Sequence, residues 1–566
     1  MSPKKATIFF LLASFFCGSL PSLFGAATGE KAMVVTPDPR ATQAALEVLN
    51  EGGNALDAAI AAQWVFSVVQ PQSSGVGGSG QLLFYDAAMR RILFFDGNVR
   101  APGESNRGMF LDEKGELPPY RPDRNTGGRP VGVPGLLKLL QEVHSQFGTR
   151  KFPFEKLFDP AIKQAEEGTE VSEVLAQALR DEAPRLALSE EARKDLFDEN
   201  GQPLREGQKL LQPDLAKMFR LVQTKGLKAF YDGDIAKAMV RAVQKDPFRP
   251  GSLSYRDLKH YEVVRRNPVH GSYQGYDLFS FSAPSSGGVM LLRGLNLLAH
   301  FDAAGLGKTT DIFHLLEEVQ KIAFTNRMAI ADPDLFDVPE KELLSQEWAQ
   351  ARAESIKFEK VLKDGRASRN PPPEDMKKPT RSSILVADAQ GNRVALCATL
   401  GDAFGAAVKV PGYGFFLNNQ LTDFDMDPAS VNDPDATNVV SPEQRPRNAA
   451  APLLIFKEGR FVLALDAYGP EEPAAILLNL LVLNLDLGVT CEGTLAAPRL
   501  VDADGVMRIE PELYDDGLLR TRLELLGQKL EKTENLGRAQ AICSEDGSGK
   551  MTGASDPRGS GDAAGI

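Results

Sequence analysis

The chain has 566 residues, a hydrophobic content of 43%, a charged content of 25% and a formal net charge of −12 at pH 7. That length exceeds one ordinary core but suits a large layered domain, and the composition is that of a soluble globular protein. The acidic excess is spread along the chain, which argues against nucleic acid and anionic membrane surfaces as partners, since both select basic patches.

At the N-terminus, Lys4 and Lys5 precede an almost uncharged run rich in Phe and Leu, Ala6–Leu23, and then the small residues Gly25, Ala26 and Ala27. This layout predicts a secretory signal peptide over residues 1–27 and an exported mature protein, periplasmic or extracellular. Gly18 and Pro21 interrupt the apolar run, so no integral membrane segment is expected once the signal is removed. The mature chain keeps Cys397, Cys491 and Cys543, three scattered cysteines that predict no disulfide framework. Neither they nor the five isolated histidines show a metal-ligand spacing, so no metal site is expected.

Residues 40–70 carry helix-period apolar positions interrupted at Gly52-Gly53, with Asn54 placed to cap the resumed helix. "PQSSGVGGSGQLLFYD" follows. Its glycines lack the lysine of a phosphate loop, and a strand comes next where such a loop needs a helix, so it reads as a tight turn. Residues 130–240 alternate helical stretches with charged turns, and 269–302 give a strand, a Pro-Ser-Ser-Gly-Gly turn and a buried helix. "KDGRASRNPPPEDMKKPT", 363–380, is charged and Pro-rich, an exposed linker of the kind in which chains are cut. Beyond it, "SSILVADAQGNRVALCATL" reads as a hairpin whose first strand, Ile384 to Ala387, is apolar on both faces. A strand buried on both faces implies a sheet covered on both sides. Helices, then a sheet, then the apolar helix after 472 predict a layered α+β domain and not a parallel doubly wound one.

Six stretches then fall into one pattern: "EGGNALDAA" (51–59), "QPQSSGVGG" (70–78), "APSSGGVMLL" (283–292), "PGYGFFLNNQLTDF" (411–424), "APRL" (497–500) and "GASDPR" (553–558). In this order they resemble the γ-glutamyltransferases (glutathione hydrolases), members of the N-terminal-nucleophile (Ntn) hydrolases. The resemblance covers nearly the whole mature chain. It implies a four-layer αββα sandwich and a precursor cleaved once, here into a large-subunit region, 28–379, and a small-subunit region, 380–566, paired in one domain. It also implies a threonine that first attacks the carbonyl preceding it. Once freed at a new N-terminus, that threonine attacks a γ-glutamyl amide, with its own α-amine, of reference pKa about 7.7–8.0, as base. No cofactor is needed.

Matched without a gap, the nucleophile position is Arg381, which has no hydroxyl. Thr380 lies one residue earlier and keeps the right face only if a bulge absorbs the extra residue. Ser382 and Ser383 are the fallbacks, Ser383 having the right parity but a deeper position. The resemblance further assigns substrate-binding roles to Asp423, Gln420 and Asn419, for the α-amine, and to Thr399, Asn448 and Gly469. Asn448-Ala449 stands where the family has two serines, and Gly401 where it has an asparagine. The family's carboxylate-binding arginine is Asn98 here, with Arg100 two positions on as a partial substitute or a surface arginine. Gly469-Pro470 replaces the Gly-Gly that supplies oxyanion donors, and proline has no N–H; Glu471 and Glu472 follow. Asp423 reads as the ligand carboxylate or as a turn carboxylate bonding nearby backbone. Two functions fit: a self-processing amidohydrolase acting on γ-glutamyl amides, and a non-catalytic relative that is not processed and binds an amino-acid-like ligand or a protein partner.

Overall fold

The computed structural model describes residues 26–325, 327–362, 379–469, 472–544 and 549–566. The expected signal segment up to Gly25, the linker from 363 to 378 and the Pro470-Glu471 pair lie outside the described residues. Two seven-stranded antiparallel sheets form the centre. Their strands are β1 (Ala26–Gly29), β2 (Met33–Thr36), β3 (Ser79–Asp86), β4 (Arg91–Gly97), β5 (Val264–Arg266), β6 (Val269–Tyr273) and β7 (Tyr276–Ser280). After the linker come β8 (Pro379–Ala387), β9 (Arg393–Asp402), β10 (Leu453–Lys457), β11 (Arg460–Tyr468), β12 (Arg538–Ser544), β13 (Met551–Ser555) and β14 (Asp562–Gly565). One sheet runs β14-β2-β8-β9-β3-β4-β5, the other β1-β13-β12-β11-β10-β7-β6.

Three apolar layers separate four structural ones. Helices α1 (Pro39–Asn50), α2 (Ala55–Val69) and α3 (Leu136–Phe147) pack on the first sheet through Ile384, Val386, Val394 and Leu396. Helices α4 (Ser286–Leu298), α5 (Thr310–Ala323) and α6 (Pro473–Leu481) pack on the second through Leu453, Ile455, Leu463 and Leu465. Between the sheets lie Met33, Val35, Leu385, Ala387, Ala395, Cys397, Leu454, Ala464 and Ile542. The fold is therefore the expected αββα sandwich. The period-two alternation of β8 is also on view: Ile384 and Val386 face helices, Leu385 and Ala387 face the other sheet.

Local chemistry explains the most conspicuous motif. Asn54 caps α2 in a reciprocal capping box with Asp57, and every residue of α2 is buried. The Ala55 N–H donates to Asp388 Oδ2 at 2.9 Å, tying the start of α2 to the β8–β9 turn. Asp57 also accepts from Thr149 Oγ1 at 2.6 Å and lies 3.4 Å from His144 Nε2. "EGGNALDAA" is thus a device for joining layers.

One expectation meets a correction. The cysteines do form a bridge: Cys491, at the start of a short helix, reaches Cys543 on β12, with Cα atoms 6.1 Å apart. The 52-residue separation hid a pairing that only the fold brings about. Ala26 and Ala27, the last two residues of the expected signal segment, pair with Ala554 and Gly553 in edge strand β1.

Candidate functional site

The start of β8 is where a reactive hydroxyl is sought. Ser383 pairs with Cys397 and Ser382 with Ala398, but Thr380 pairs with Gly401, so β9 advances three residues while β8 advances two. The bulge exists, yet its extra residue lies in β9, opposite Arg381, and not in β8. The faces of β8 therefore stay in alternation. Thr380 turns toward the helix-layer side, where its Oγ1 donates to the Gln72 carbonyl at 3.0 Å. Ser382 shares that side, donating to Gln63 Oε1 of α2 at 2.8 Å, and is fully buried. Ser383 faces between the sheets, fully buried, with no partner for its Oγ.

Arg381 shares the inter-sheet face. Its Nη2 bonds Asp466 Oδ1 of β11 at 2.8 Å and the Ala467 carbonyl, and its side chain is 11% exposed while Asp466 is 0% exposed. Burial works against the guanidinium charge, but the Asp466 carboxylate, joined by Cys397, Tyr468 and Glu472, more than offsets it and holds Arg381 above its usual value. Cys397 Sγ lies 3.2 Å from Asp466 Oδ2, and burial, then that carboxylate, pushes the thiol well up, so it is protonated. Sequence reasoning missed Asp466. The available signal was one acidic residue in the apolar strand "RFVLALDAY" and one basic residue opening another.

Next to this pair a side-chain hydroxyl holds a main-chain carbonyl. The Thr399 hydroxyl donates to the Thr380 carbonyl, and Thr399 Oγ1 in turn accepts the Gly401 N–H at 2.8 Å. The held carbonyl precedes residue 381. Gly401 has φ +98°, and a Cβ there would lie 2.1 Å from Asn419 Oδ1, so this geometry requires glycine.

The 418–423 turn is built mainly by its own amides. Asn418 spans Gly77 and Gly132, donating 2.8 Å bonds to both carbonyls and accepting the Gly132 N–H at 3.0 Å. Asn419 accepts from the Asp402 N–H at 3.0 Å and donates to its Oδ2 at 3.1 Å. Both are scaffold. Gln420 is 1% exposed and its Oε1 has no partner. Asp423 is half-buried, and its carbonyl accepts from Asn438 Nδ2 at 3.1 Å. Asn438 Oδ1 also accepts the Arg447 N–H at 2.9 Å, bridging this turn to the segment holding Asn448. Asn448 Oδ1 accepts from Ser285 Oγ at 2.8 Å, while its Nδ2 is buried and unpartnered.

A family model described as gamma-glutamyltranspeptidase matches residues 41–566. The chain belongs to the γ-glutamyltranspeptidase family. It is 34% identical over 557 residues to a glutathione hydrolase proenzyme of Bacillus subtilis, covering 95% of this chain and 92% of that one. An acylase ACY 1 proenzyme of Pseudomonas sp. (strain V22) is 31% identical, with 96% and 94% covered. Among solved structures, the cephalosporin acylase from Bacillus halodurans superposes with a TM-score of 0.83 at 25% identity, over 98% of this chain and 99% of that one.

Arg100, expected as a partial arginine substitute or a surface arginine, lies beside Tyr261. Arg100 Nη2 donates to the His260 carbonyl at 3.2 Å and its guanidinium lies 6.0 Å from the Tyr261 ring centre. Asn98 is the residue that reaches the 446–448 segment, donating to the Pro446 carbonyl at 3.0 Å, and Tyr261 fixes it by donating to its carbonyl at 2.6 Å. Gly469 has φ +146°, and a Cβ there would lie 2.7 Å from Gly537 Cα. Glu472, beyond the undescribed Pro470 and Glu471, pairs with Arg327 at 2.8 Å.

Proposed function

We propose that this protein is an exported γ-glutamyltranspeptidase-family member that remains a single chain, is silent toward γ-glutamyl amides, and binds a small amino-acid-like ligand. One observation carries the reading: the carbonyl that Thr399 holds precedes Arg381, a residue with no hydroxyl to attack it. Thr380 would have to attack the carbonyl of Pro379, and its hydroxyl is engaged by Gln72 on the other side of the sheet. Ligand binding is supported by Gln420 Oε1, an acceptor suited to an ammonium group, and by Asn448 Nδ2, a donor suited to a carboxylate, both without partners among the described residues. Export is supported by the Cys491–Cys543 bridge, since disulfides persist in oxidising compartments.

The experiment pairs calorimetry with an activity assay. Glutamate or glutathione is expected to bind, binding is expected to vanish in Gln420→Leu and Asn448→Leu, and a γ-glutamyl anilide is expected to stay intact. Anilide turnover abolished by Thr380→Ala would establish the other reading, a self-processing amidohydrolase. That alternative is favoured by the persistence of the Thr399 hydroxyl beside the junction and by the likeness to relatives named as proenzymes.

A further inference from the structure

The layer between the sheets holds a polar island that neither the fold nor the ligand reading accounts for. Asp466 touches Arg381 on β8 and Cys397 on β9, and Cys397 is the direct cross-strand partner of Ser383, so Asp466 lies under the β8–β9 pair at Ser383. On its own sheet, Asp466 pairs directly with Gln540 of β12, which places the two side chains on one face as neighbours. Gln540 and Ser383 are each 0% exposed. Among the described residues, four polar atoms here lack any partner: Arg381 Nε, Ser383 Oγ, and both Oε1 and Nε2 of Gln540. Exchanging the amide O and N of Gln540 changes nothing, since neither end is bonded.

Buried polar groups in native proteins are nearly always satisfied, and a polar cluster offering two to four partners is where internal water is found. We propose that Arg381, Ser383 and Gln540 form an internal binding site for a neutral, water-sized hydrogen-bonding guest, water itself in the exported protein. The charge balance selects the guest. The Arg381 guanidinium is already neutralised by Asp466, so an anion would enter without a counter-charge, and a cation would meet the donors Arg381 Nε–H and Gln540 Nε2. A neutral guest accepts from Arg381 Nε and Gln540 Nε2 and donates to Ser383 Oγ and Gln540 Oε1. It thereby links the two sheets behind Arg381. The site goes beyond the ligand reading and is independent of whether the chain self-cleaves.

High-resolution crystals of the full exported protein, grown in chloride and in bromide, test this. The expected result is one or more water peaks at about 2.6–3.2 Å from at least two of the three side chains, with no anomalous bromide signal. A bromide peak overturns the neutral guest, and an empty island in which the three side chains have re-paired with one another overturns the site. Deuteron relaxation dispersion in solution supplies a check free of crystals. Gln540→Leu and the milder Ser383→Ala are each expected to lose at least one long-lived water relative to the parent, and an unchanged count in a folded variant contradicts the proposal.

Discussion

Replacing Arg381 by methionine isolates the interaction that fills the nucleophile position. The substitution keeps much of the apolar stem but leaves Asp466, which has no solvent exposure, without its counter-ion. Breaking a buried pair by removing one partner costs about 3–5 kcal/mol. Asp466 retains the Ala467 N–H at 2.9 Å and the Cys397 thiol at 3.2 Å, which places the expected loss at the lower end of that range. Against a typical net stability of about 5–15 kcal/mol this is a large fraction. The urea m-value of a chain this long exceeds the about 1–3 kcal/mol/M of small proteins, so the unfolding midpoint is expected to fall by up to about 1 M. The double variant Arg381→Met with Asp466→Leu is expected to recover most of the loss, because an apolar pair of similar volume replaces a buried ion pair at little net cost. Urea titration of the parent, both single variants and the double variant closes the cycle. A change within about 0.5 kcal/mol for Arg381→Met is what a surface residue gives and would refute the buried pair.

Arg381→Thr puts a hydroxyl beside the carbonyl that Thr399 already holds, so a fraction of this variant is expected to cleave with a new amino terminus at position 381, read by mass spectrometry. His144 is pulled down by burial, but the Asp57 carboxylate and the Phe152 carbonyl more than offset this and raise it above its ordinary value. A raised folded value means stability present below the unfolded value, about 6.5, and lost as pH rises through the folded one. His144→Gln is therefore expected to flatten the pH dependence of the melting temperature above that point. Reducing the Cys491–Cys543 bridge, or replacing Cys491 by serine, opens a loop of 52-residue separation. Chain entropy predicts a loss of about 4 kcal/mol, measurable as a lower denaturation midpoint in dithiothreitol.

The sandwich was legible because its evidence is local. The doubly apolar run at Ile384–Ala387 required a covered sheet, and Asn54 announced the start of α2. Parity reasoning also located Arg381 and Ser383 on one face and Thr380 and Ser382 on the other. Which strand carried the bulge was not legible, because a bulge is fixed by pairing across a hairpin and here by the fit of Gly401 against Asn419. The partner of Arg381, Asp466, lies 85 residues away, and no spacing rule connects them. Asn419 illustrates the reverse problem. A residue whose motif suggests ligand recognition spends its amide on Asp402 and the turn, whereas Gln420 beside it keeps an unpartnered oxygen.

The central claim is that the chain does not cut itself at the head of β8. The intact mass of the protein purified from its native host, taken under denaturing conditions with protease inhibitors, tests this most directly. One species spanning the mature sequence is the predicted result. Two species, the smaller beginning at Thr380, would contradict it.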